Sequence, residues 1–233
     1  MKISAIVPTL NAARHLHDCL PALNEADEVI VVDGGSEDAT RDIARRYSAR
    51  LIESARGRGA QLAAGASATS GDALLFVHAD TRLSPGWAEL ARRHLERHIR
   101  PACFRLRLDD RAWQARVIER GVTLRTRLFG LPYGDQGLLV RQDVYRRSGG
   151  YRPLPMMEDV ELLERLPRPV QLRADAVTSA ERWRSDGWAR RSARNLACLA
   201  LWEAGVSAER IAAVYHRPRR ASPLPGGSGS RAE

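Results

Sequence analysis

Leu74-Leu75-Phe76-Val77 leads directly into His78-Ala79-Asp80-Thr81. The four apolar residues follow Ser70-Gly71-Asp72, and a short apolar run after turn residues is typical of a buried parallel strand. Residues at the end of such a strand project from the carboxyl edge of the sheet, where open α/β sheets bind their ligands. An acid there can hold a hard cation and, through it, a diphosphate. The stretch therefore predicts an α/β protein with a ligand site around Asp80.

The first hundred residues alternate strand and helix patterns, as in a parallel sheet covered by helices. The second half has strands with one wet face and longer helices. We expect one domain over residues 1–216, with a ligand-binding half at 1–100 and a second half at 101–216, and a disordered tail at 217–233 that is rich in Pro, Gly, Ser and Arg. The predicted strands are 3–7, 29–32, 50–53, 74–77, 104–108, 137–141 and 171–178. The predicted helices are 12–23, 36–47, 58–70, 85–98, 111–129, 158–165, 188–203 and 207–216.

Composition excludes several classes of protein. The net charge of +9 comes almost wholly from arginine, since Lys2 is the only lysine, and it fits either an anionic partner or an arginine-rich composition. The basic residues are dispersed and match no nucleic-acid-binding motif. Three distant cysteines provide neither a zinc spacing nor a disulfide framework. No stretch reaches the ~20 apolar residues of a membrane span, and no signal peptide is recognised, so we expect a cytoplasmic protein.

Three further segments carry candidate chemistry. Asp33-Gly34-Gly35 ends a strand and opens a helix, which suits either a nucleotide's base or ribose or an ordinary helix cap. Gly57-Arg58-Gly59 precedes a helix and offers backbone N–H groups and a guanidinium to phosphate, unless Arg58 is simply solvated. Glu158-Asp159 begins a helix, where an acid serves as a general base or as a cap. Neither a P-loop nor a Gly-x-Gly-x-x-Gly motif is present.

Taken in order, these segments resemble those of family 2 glycosyltransferases, and the resemblance extends over about residues 3–216. Within that family the chain is similar to a small bacterial subgroup associated with radical-SAM and selenium-related genes. The motifs are Ile6-Val7-Pro8-Thr9-Leu10-Asn11, the Asp33 and Arg58 segments, His78-Ala79-Asp80, Gly134-Asp135-Gln136 and Glu158-Asp159-Val160-Glu161-Leu162.

The resemblance implies the GT-A fold of nucleotide-diphospho-sugar transferases, with a mostly parallel central sheet, and an inverting transfer of sugar to an acceptor hydroxyl. It implies that Asp80 binds Mn²⁺ or Mg²⁺ on the diphosphate and that Asp159 is the catalytic base. Nucleotide binding would involve Pro8, Thr9, Asp33, Arg58 and His78. The acceptor, a small or lipid-linked molecule, would be bound by Tyr133, Asp135, Gln136, Glu158, Arg182 and Trp183, and the last two could instead form a flap over the donor.

The chain departs from the family pattern at three positions. His78 replaces the first acid of the Asp-x-Asp motif, where imidazole can bind a ribose hydroxyl or a metal. Gly34 stands where many members have an acid that contacts uracil, which weakens the case for a UDP donor. Ala63 replaces a frequent Asn. A degenerate nucleotide-sugar-binding protein and, with less support, a sugar-nucleotide pyrophosphorylase are the alternatives. We also expect peripheral membrane contact through the basic helix 111–129.

Overall fold

The computed structural model describes residues 1–215 and contains one mixed eight-stranded sheet flanked by helices. The predicted tail at 217–233 lies outside the described residues. The strands are β1 (Ile3–Thr9), β2 (Glu28–Asp33), β3 (Arg50–Glu53), β4 (Ala73–Phe76), β5 (Thr81–Leu83), β6 (Ala102–Leu108), β7 (Leu138–Arg141) and β8 (Val170–Thr178). They lie side by side in the order β3-β2-β1-β4-β7-β6-β8-β5.

The first four strands pair with one another in parallel, as predicted. β1 pairs with both β2 and β4, and β2 pairs with β3. In this register Thr9 lies opposite Asp33, and Ile6 lies opposite Phe76. The segment His78-Ala79-Asp80 therefore leaves the sheet at the same carboxyl edge as Thr9 and Asp33.

The second half is less regular than a parallel sheet. β7 is antiparallel to β4 and β6, β8 is parallel to β6, and β5 is antiparallel to β8. The mixed α/β sheet confirms the expected fold class, although the parallel pairing is confined to the first half and the β6–β8 pair. Sequence patterns missed β5, because Thr81-Arg82-Leu83 has no apolar run and is held in place by distant β8.

Ten α-helices and two short 3₁₀ turns, Pro21–Leu23 and Gly134–Gln136, connect the strands within the described residues. The helices are α1 (Ala13–Cys19), α2 (Thr40–Arg46), α3 (Arg58–Ala68), α4 (Trp87–Arg97), α5 (Trp113–Phe129), α6 (Gln142–Arg147), α7 (Glu158–Arg165), α8 (Glu181–Asp186), α9 (Trp188–Glu203) and α10 (Ala208–Tyr215). The sequence predicted most of these but not α6 and α8, which have six residues each and too few turns to show a clear periodicity.

The core lies on both faces of the sheet, because successive residues of a strand point to opposite sides. In β4, Leu75 packs with Leu16 and Trp87 on one face, while Leu74 and Phe76 pack on the other with side chains such as Leu62 and Leu162. This double burial explains why the parallel strands are continuous apolar runs. Within residues 1–215, no helix is both long and apolar enough to span a membrane.

Candidate functional site

A pocket opens at the carboxyl edge of the parallel strands and gathers side chains from several distant parts of the chain. His78 and Asp80 come from the turn after β4, and Asp159 comes from the first turn of α7. Further contributions include Arg58 from α3, Tyr133 to Asp135 at the second 3₁₀ turn, Arg182 and Trp183 from α8, and Arg191, Asn195 and Cys198 from α9. β4 pairs with β7 in antiparallel orientation. The turn that follows β4 and the 3₁₀ turn that precedes β7 therefore lie at the same edge of the sheet. The pocket thus unites most of the predicted site residues.

Two hydrogen bonds hold the carboxylate of Asp159 in place. The backbone N–H of Gly134 donates to Oδ2 over 3.1 Å, and the hydroxyl of Tyr151 donates to Oδ1 over 3.0 Å. Burial, followed by the charges of Asp159 and Glu158, raises the pKa of Tyr151 well above its ordinary value. The phenol therefore stays protonated and remains a donor. Asp159 itself is 8% exposed and reaches the pocket with oriented, only partly occupied oxygens.

Glu158 is the neighbouring acid, and its environment differs. Its side chain is 1% exposed, accepts a hydrogen bond from Arg58 Nε and is not part of the pocket wall formed by the described residues. Arg58 also lies 3.8 Å from Asp159 Oδ2 through its terminal NH2 nitrogen. Of the two adjacent acids, Asp159 is therefore the one positioned to meet a bound molecule, and Glu158 anchors Arg58.

Arg58 supplies positive charge to the pocket despite its acidic partners. Burial opposes its charge, but Glu158 and Asp159 together raise the pKa of the guanidinium above its ordinary value. Gly57, at φ 138°, adopts a backbone conformation that favours glycine and places Arg58 at the first position of α3. The guanidinium is a permanent cation beside the candidate base.

Three buried carboxylate or imidazole atoms in the pocket have no hydrogen-bond partner within residues 1–215. They are His78 Nε2, Asp80 Oδ1 and Asp135 Oδ1. Buried polar atoms are normally paired, so three such atoms in one pocket indicate that a bound group completes their contacts. Gly134 lies close to both His78 and Asp159. A Cβ at position 134 would come within 2.3 Å of His78 Nε2 and 2.7 Å of Asp159 Oδ2. Only glycine leaves this space open.

The turn that carries Asp80 is tied to the turn that carries Asp135. The hydroxyls of Thr81 and Thr178 are 2.8 Å apart, and Thr178 Oγ1 donates to the backbone carbonyl of Asp135 over 3.1 Å. The backbone N–H of Ser179 donates to the carbonyl of Asp80 over 3.0 Å. The short β5 pairing that sequence patterns missed is thus what fixes the two carboxylates relative to each other.

The charge states of His78 and Asp135 follow from their surroundings. Burial and the nearby Arg58 lower the pKa of His78 to about 4, although Asp80 and Glu158 oppose the shift. His78 is therefore a neutral imidazole near pH 7. Burial, reinforced by Asp80 and Asp159 and opposed by Arg125, raises the pKa of Asp135 to about 6. The pocket consequently holds acids whose mutual repulsion a cation would relieve.

The suitability of these residues for a divalent cation depends on their donor atoms. No group of three or more His, Cys, Asp or Glu side chains among residues 1–215 is arranged to hold a metal alone. The unpaired Asp80 Oδ1 is nonetheless a hard oxygen donor, and neutral His78 has a free ring nitrogen. The donor set therefore fits a cation whose remaining ligands come from a diphosphate and water, and it does not fit a protein-only metal site.

Asp33, Thr9 and Pro8 lie at the ends of the neighbouring strands β1 and β2. Asp33 is fully buried and accepts hydrogen bonds from Ser36 N, Gly35 N and Arg41 Nε at 2.9, 3.2 and 2.8 Å. Thr9 donates weakly to it, and none of the three residues lines the pocket described here. Asp33 thus organises the loop after β2, and its nucleotide contact stays a prediction.

Gln61 is a residue of this edge that sequence reasoning missed. Its side-chain amide donates to the carbonyls of Thr9 and Val32 over 2.7 and 2.8 Å, joining the ends of β1 and β2. A Cβ at Gly34 would lie 3.1 Å from that amide. The space that an acid at position 34 would need is therefore filled by Gln61, which accounts structurally for this departure from the family pattern.

The candidate acceptor residues divide into two groups. Tyr133, Asp135, Arg182 and Trp183 line the pocket, and their contact with an acceptor stays a prediction. Gln136 does not, because it is fully buried and bonded to Thr126 Oγ1 and the carbonyl of Phe104. Its amide fixes the 3₁₀ turn to β6 and α5, so it supports the pocket from behind, as Glu158 does through Arg58. The sequence held no signal for this, since side-chain direction in a loop depends on tertiary contacts.

Replacement of Asp135 by Asn is expected to stabilise the protein more at pH 8 than at pH 5 in the presence of EDTA. The folded-state pKa of Asp135, about 6, lies above the ordinary value of 3.8, so its contribution to stability is complete below 3.8 and is lost as pH rises through 6. The Asn side chain does not ionise, so the variant does not lose stability as the pH rises through 6. Melting temperatures of both proteins at the two pH values test this, and an equal difference at both would contradict it.

Comparison with known proteins identifies related sequences and folds. The model of the family described as Glycosyl transferase family 2 matches residues 4–128. The glycosyltransferase AglE of Haloferax volcanii is 34% identical over 100 residues, which cover 37% of this chain and 33% of AglE. The chain thus matches about a third of the length of this curated relative.

Two solved structures share the fold. Staphylococcus aureus TarS 1–349 in complex with UDP-GlcNAc has a TM-score of 0.59 at 18% identity, covering 77% of this chain and 58% of TarS 1–349. Mycobacterium tuberculosis glucosyl-3-phosphoglycerate synthase in complex with Mn²⁺, UDP and glucosyl-3-phosphoglycerate has a TM-score of 0.57 at 20% identity, covering 76% of this chain and 71% of the synthase. At these identities the likeness shows the fold alone.

Proposed function

This chain belongs to glycosyl transferase family 2 and has the GT-A fold, and from that premise we propose that it transfers a sugar from a nucleotide-diphosphate donor to an acceptor hydroxyl with inversion. The observation that carries the proposal is the position of Asp159, an oriented carboxylate in the same pocket as the unpartnered Asp80 Oδ1 and His78 Nε2. A carboxylate beside a candidate diphosphate site is the arrangement that transfer requires.

Asp159 would act as the general base. The acceptor hydroxyl attacks the anomeric carbon from the face opposite the nucleotide diphosphate, and its proton passes to a carboxylate oxygen of Asp159 as the new bond forms. The bonds from Gly134 and Tyr151 hold that oxygen in one orientation, which places the base before the reaction begins. The guanidinium of Arg58 lies 3.8 Å from Asp159 and places a positive charge beside it.

The part of the pocket formed by Asp80 and His78 would bind the donor. Asp80 and His78 are the residues that would hold a divalent cation, which supplies electrostatic stabilisation of the departing diphosphate when bound. The Mn²⁺ and UDP in the structurally similar M. tuberculosis synthase support this assignment. Arg182 lines the pocket and forms no ion pair with any other described residue, so its guanidinium is available to a phosphate oxygen.

Trp183 would close the pocket over a bound sugar. It stacks on Trp188 with ring centroids 6.0 Å apart, and the guanidinium of Arg191 lies 5.4 Å from its ring centre. An indole held on one side and facing the pocket on the other offers an apolar surface to a pyranose ring. Arg182, the proposed phosphate contact, lies on the same helix, α8. A movement of α8 would therefore shift Arg182 and Trp183 together.

Replacement of His78 by Asp is expected to keep or strengthen Mn²⁺ binding, because it adds negative charge beside Asp80 and restores the carboxylate pair of the family motif. Electron paramagnetic resonance of free Mn²⁺ in the presence of UDP measures this affinity independently of turnover. A collapse of Mn²⁺ affinity would instead identify the imidazole of His78 as a required ligand.

A thermal-shift screen of nucleotide sugars, with Mn²⁺ and with EDTA, tests the proposed function. A ligand that binds only the folded state raises the melting temperature by mass action. We expect at least one nucleotide-diphosphate sugar to raise it, and to do so more with Mn²⁺. The positive donor is then incubated with candidate acceptors; donor binding without any turnover would favour the alternative of a non-catalytic nucleotide-sugar-binding protein.

A further inference from the structure

The outer side of α5 presents an apolar stripe to solvent. Trp113, Val117, Leu124 and Leu128 recur at helical spacing along this side and are 71, 54, 58 and 57% exposed. The opposite side of the helix, with Ala115, Glu119 and Thr126, is buried against the protein. Large apolar side chains that line one helix face without a partner among residues 1–215 indicate a docking surface rather than scattered surface residues.

Positive charge borders this stripe. Arg120 and Arg127 are exposed next to it in the helical projection and form no ion pair with the residues that the structure describes. Glu119 is the single acid in the α5 sequence, and it faces inward, where the backbone N–H of Leu108 and the guanidinium of Arg107 donate to it over 2.8 and 2.9 Å. The exposed face of α5 is therefore apolar at its centre and basic at its edge.

We propose that α5 docks this protein on the surface of an anionic lipid bilayer. A helix with an apolar stripe and arginines at its border lies in the headgroup region, with its apolar side chains among the acyl chains and its guanidinium groups on lipid phosphates. A second copy of the chain is a poorer occupant. Two identical faces meeting about a twofold axis would bring Arg120 and Arg127 of both copies together without acidic partners.

The docking helix is continuous with the acceptor side of the pocket. α5 ends at Gly130, and the following loop carries Tyr133 and Asp135 into the pocket wall. Arg125 of α5 holds this loop, since its Nε donates to the carbonyl of Leu131 over 2.9 Å and its guanidinium lies 3.6 Å from the centre of the Tyr133 ring.

The N-terminal end of α5 packs near α8, which also lines the pocket. Ala115 and Ile118 share an apolar cluster with Trp183 of the candidate flap and with Trp188 of α9. An α5 bound to a bilayer would thus hold both α8 and the loop that carries Tyr133 and Asp135 near the lipid surface. This placement favours an acceptor hydroxyl carried by a membrane lipid over one on a freely dissolved molecule. That part of the inference rests on the proposed function.

Co-sedimentation of the full chain with extruded vesicles tests the docking. We expect binding to vesicles of equal parts phosphatidylglycerol and phosphatidylcholine, weaker binding at high salt, and little binding to pure phosphatidylcholine. The double variant Val117→Glu and Leu124→Glu is expected to reduce binding at least about tenfold, because two apolar contacts are lost and two negative charges are gained. Both residues are exposed, so unchanged melting temperatures verify that the variant folds.

Leu196→Glu is the matched control, because Leu196 is 63% exposed on α9 and outside the proposed surface. It should bind vesicles more tightly than the double variant does. Equal losses in both, or no binding of the wild type to anionic vesicles, would overturn the proposal. A wild-type dimer in sedimentation velocity that the double variant dissociates would assign this face to a second copy instead. The assay contains no nucleotide sugar, so a negative result would leave the proposed transfer intact.

Discussion

Replacement of Asp159 by Asn is expected to lower the rate of sugar transfer by about 10²- to 10⁴-fold, the usual contribution of a general base. The amide cannot accept the proton that the acceptor hydroxyl loses. Donor binding should change little, because the donor is assigned to other residues of the pocket, Asp80 and His78. Initial rates, together with the donor's Kd from calorimetry, separate the two effects.

Glu158→Gln is the matched control for this prediction. Glu158 is adjacent in sequence and also carries a carboxyl group, but it is bonded to Arg58 and does not line the pocket wall formed by residues 1–215. Its loss should weaken the placement of Arg58 and cost less activity than the loss of Asp159. A second comparison is Tyr151→Phe, which removes only the 3.0 Å bond to Asp159 Oδ1. Near-normal turnover in Asp159→Asn with an inactive Glu158→Gln would show that Glu158 is the base.

Replacement of Asp80 by Asn is expected to weaken Mn²⁺ binding in the presence of UDP by at least about tenfold, a loss that even an outer-shell partner of a metal can cause. The change removes a negative charge and a hard oxygen donor whose Oδ1 has no partner among the described residues. The signal of free Mn²⁺ in electron paramagnetic resonance should fall when UDP is added to the wild type and should stay high with the variant.

Asp135→Asn is the matched comparison for Asp80. It also removes one carboxylate with an unpartnered Oδ1 from the same pocket, but from the wall assigned to the acceptor. We expect it to retain most of the Mn²⁺ affinity. If both variants lose Mn²⁺ equally, the cation is shared by the two acids and the assignment to Asp80 alone is wrong.

The parallel half of the fold could be predicted from the sequence because its information is local. Runs such as Leu74 to Val77 are buried on both faces, so each strand is visible as an apolar segment. The helix that begins at Glu158 carries its acids at its start and was equally clear. The structure confirms the α/β fold, and the family match confirms the family assignment.

The rest of the site depends on contacts between distant residues. Thr81 joins the sheet only because Thr178, 97 residues later, pairs with it. Gln136 and Asp135 are neighbours in sequence, yet one points into the core and the other into the pocket. Gln61, Tyr151 and Gly134 support the site by bonds or by leaving space. No periodicity or motif marks such roles, which is why sequence patterns placed the acids and missed the groups that orient them.

Calorimetric titration of the wild-type protein with UDP and with GDP, once in Mn²⁺ and once in EDTA, tests the central claim most directly. The claim is that the pocket around Asp80 and Asp159 binds a nucleoside diphosphate together with a divalent cation. We predict that at least one of the two nucleotides binds in Mn²⁺ and that its affinity falls markedly in EDTA. Equal affinity in Mn²⁺ and EDTA, or no binding of either nucleotide, would contradict it.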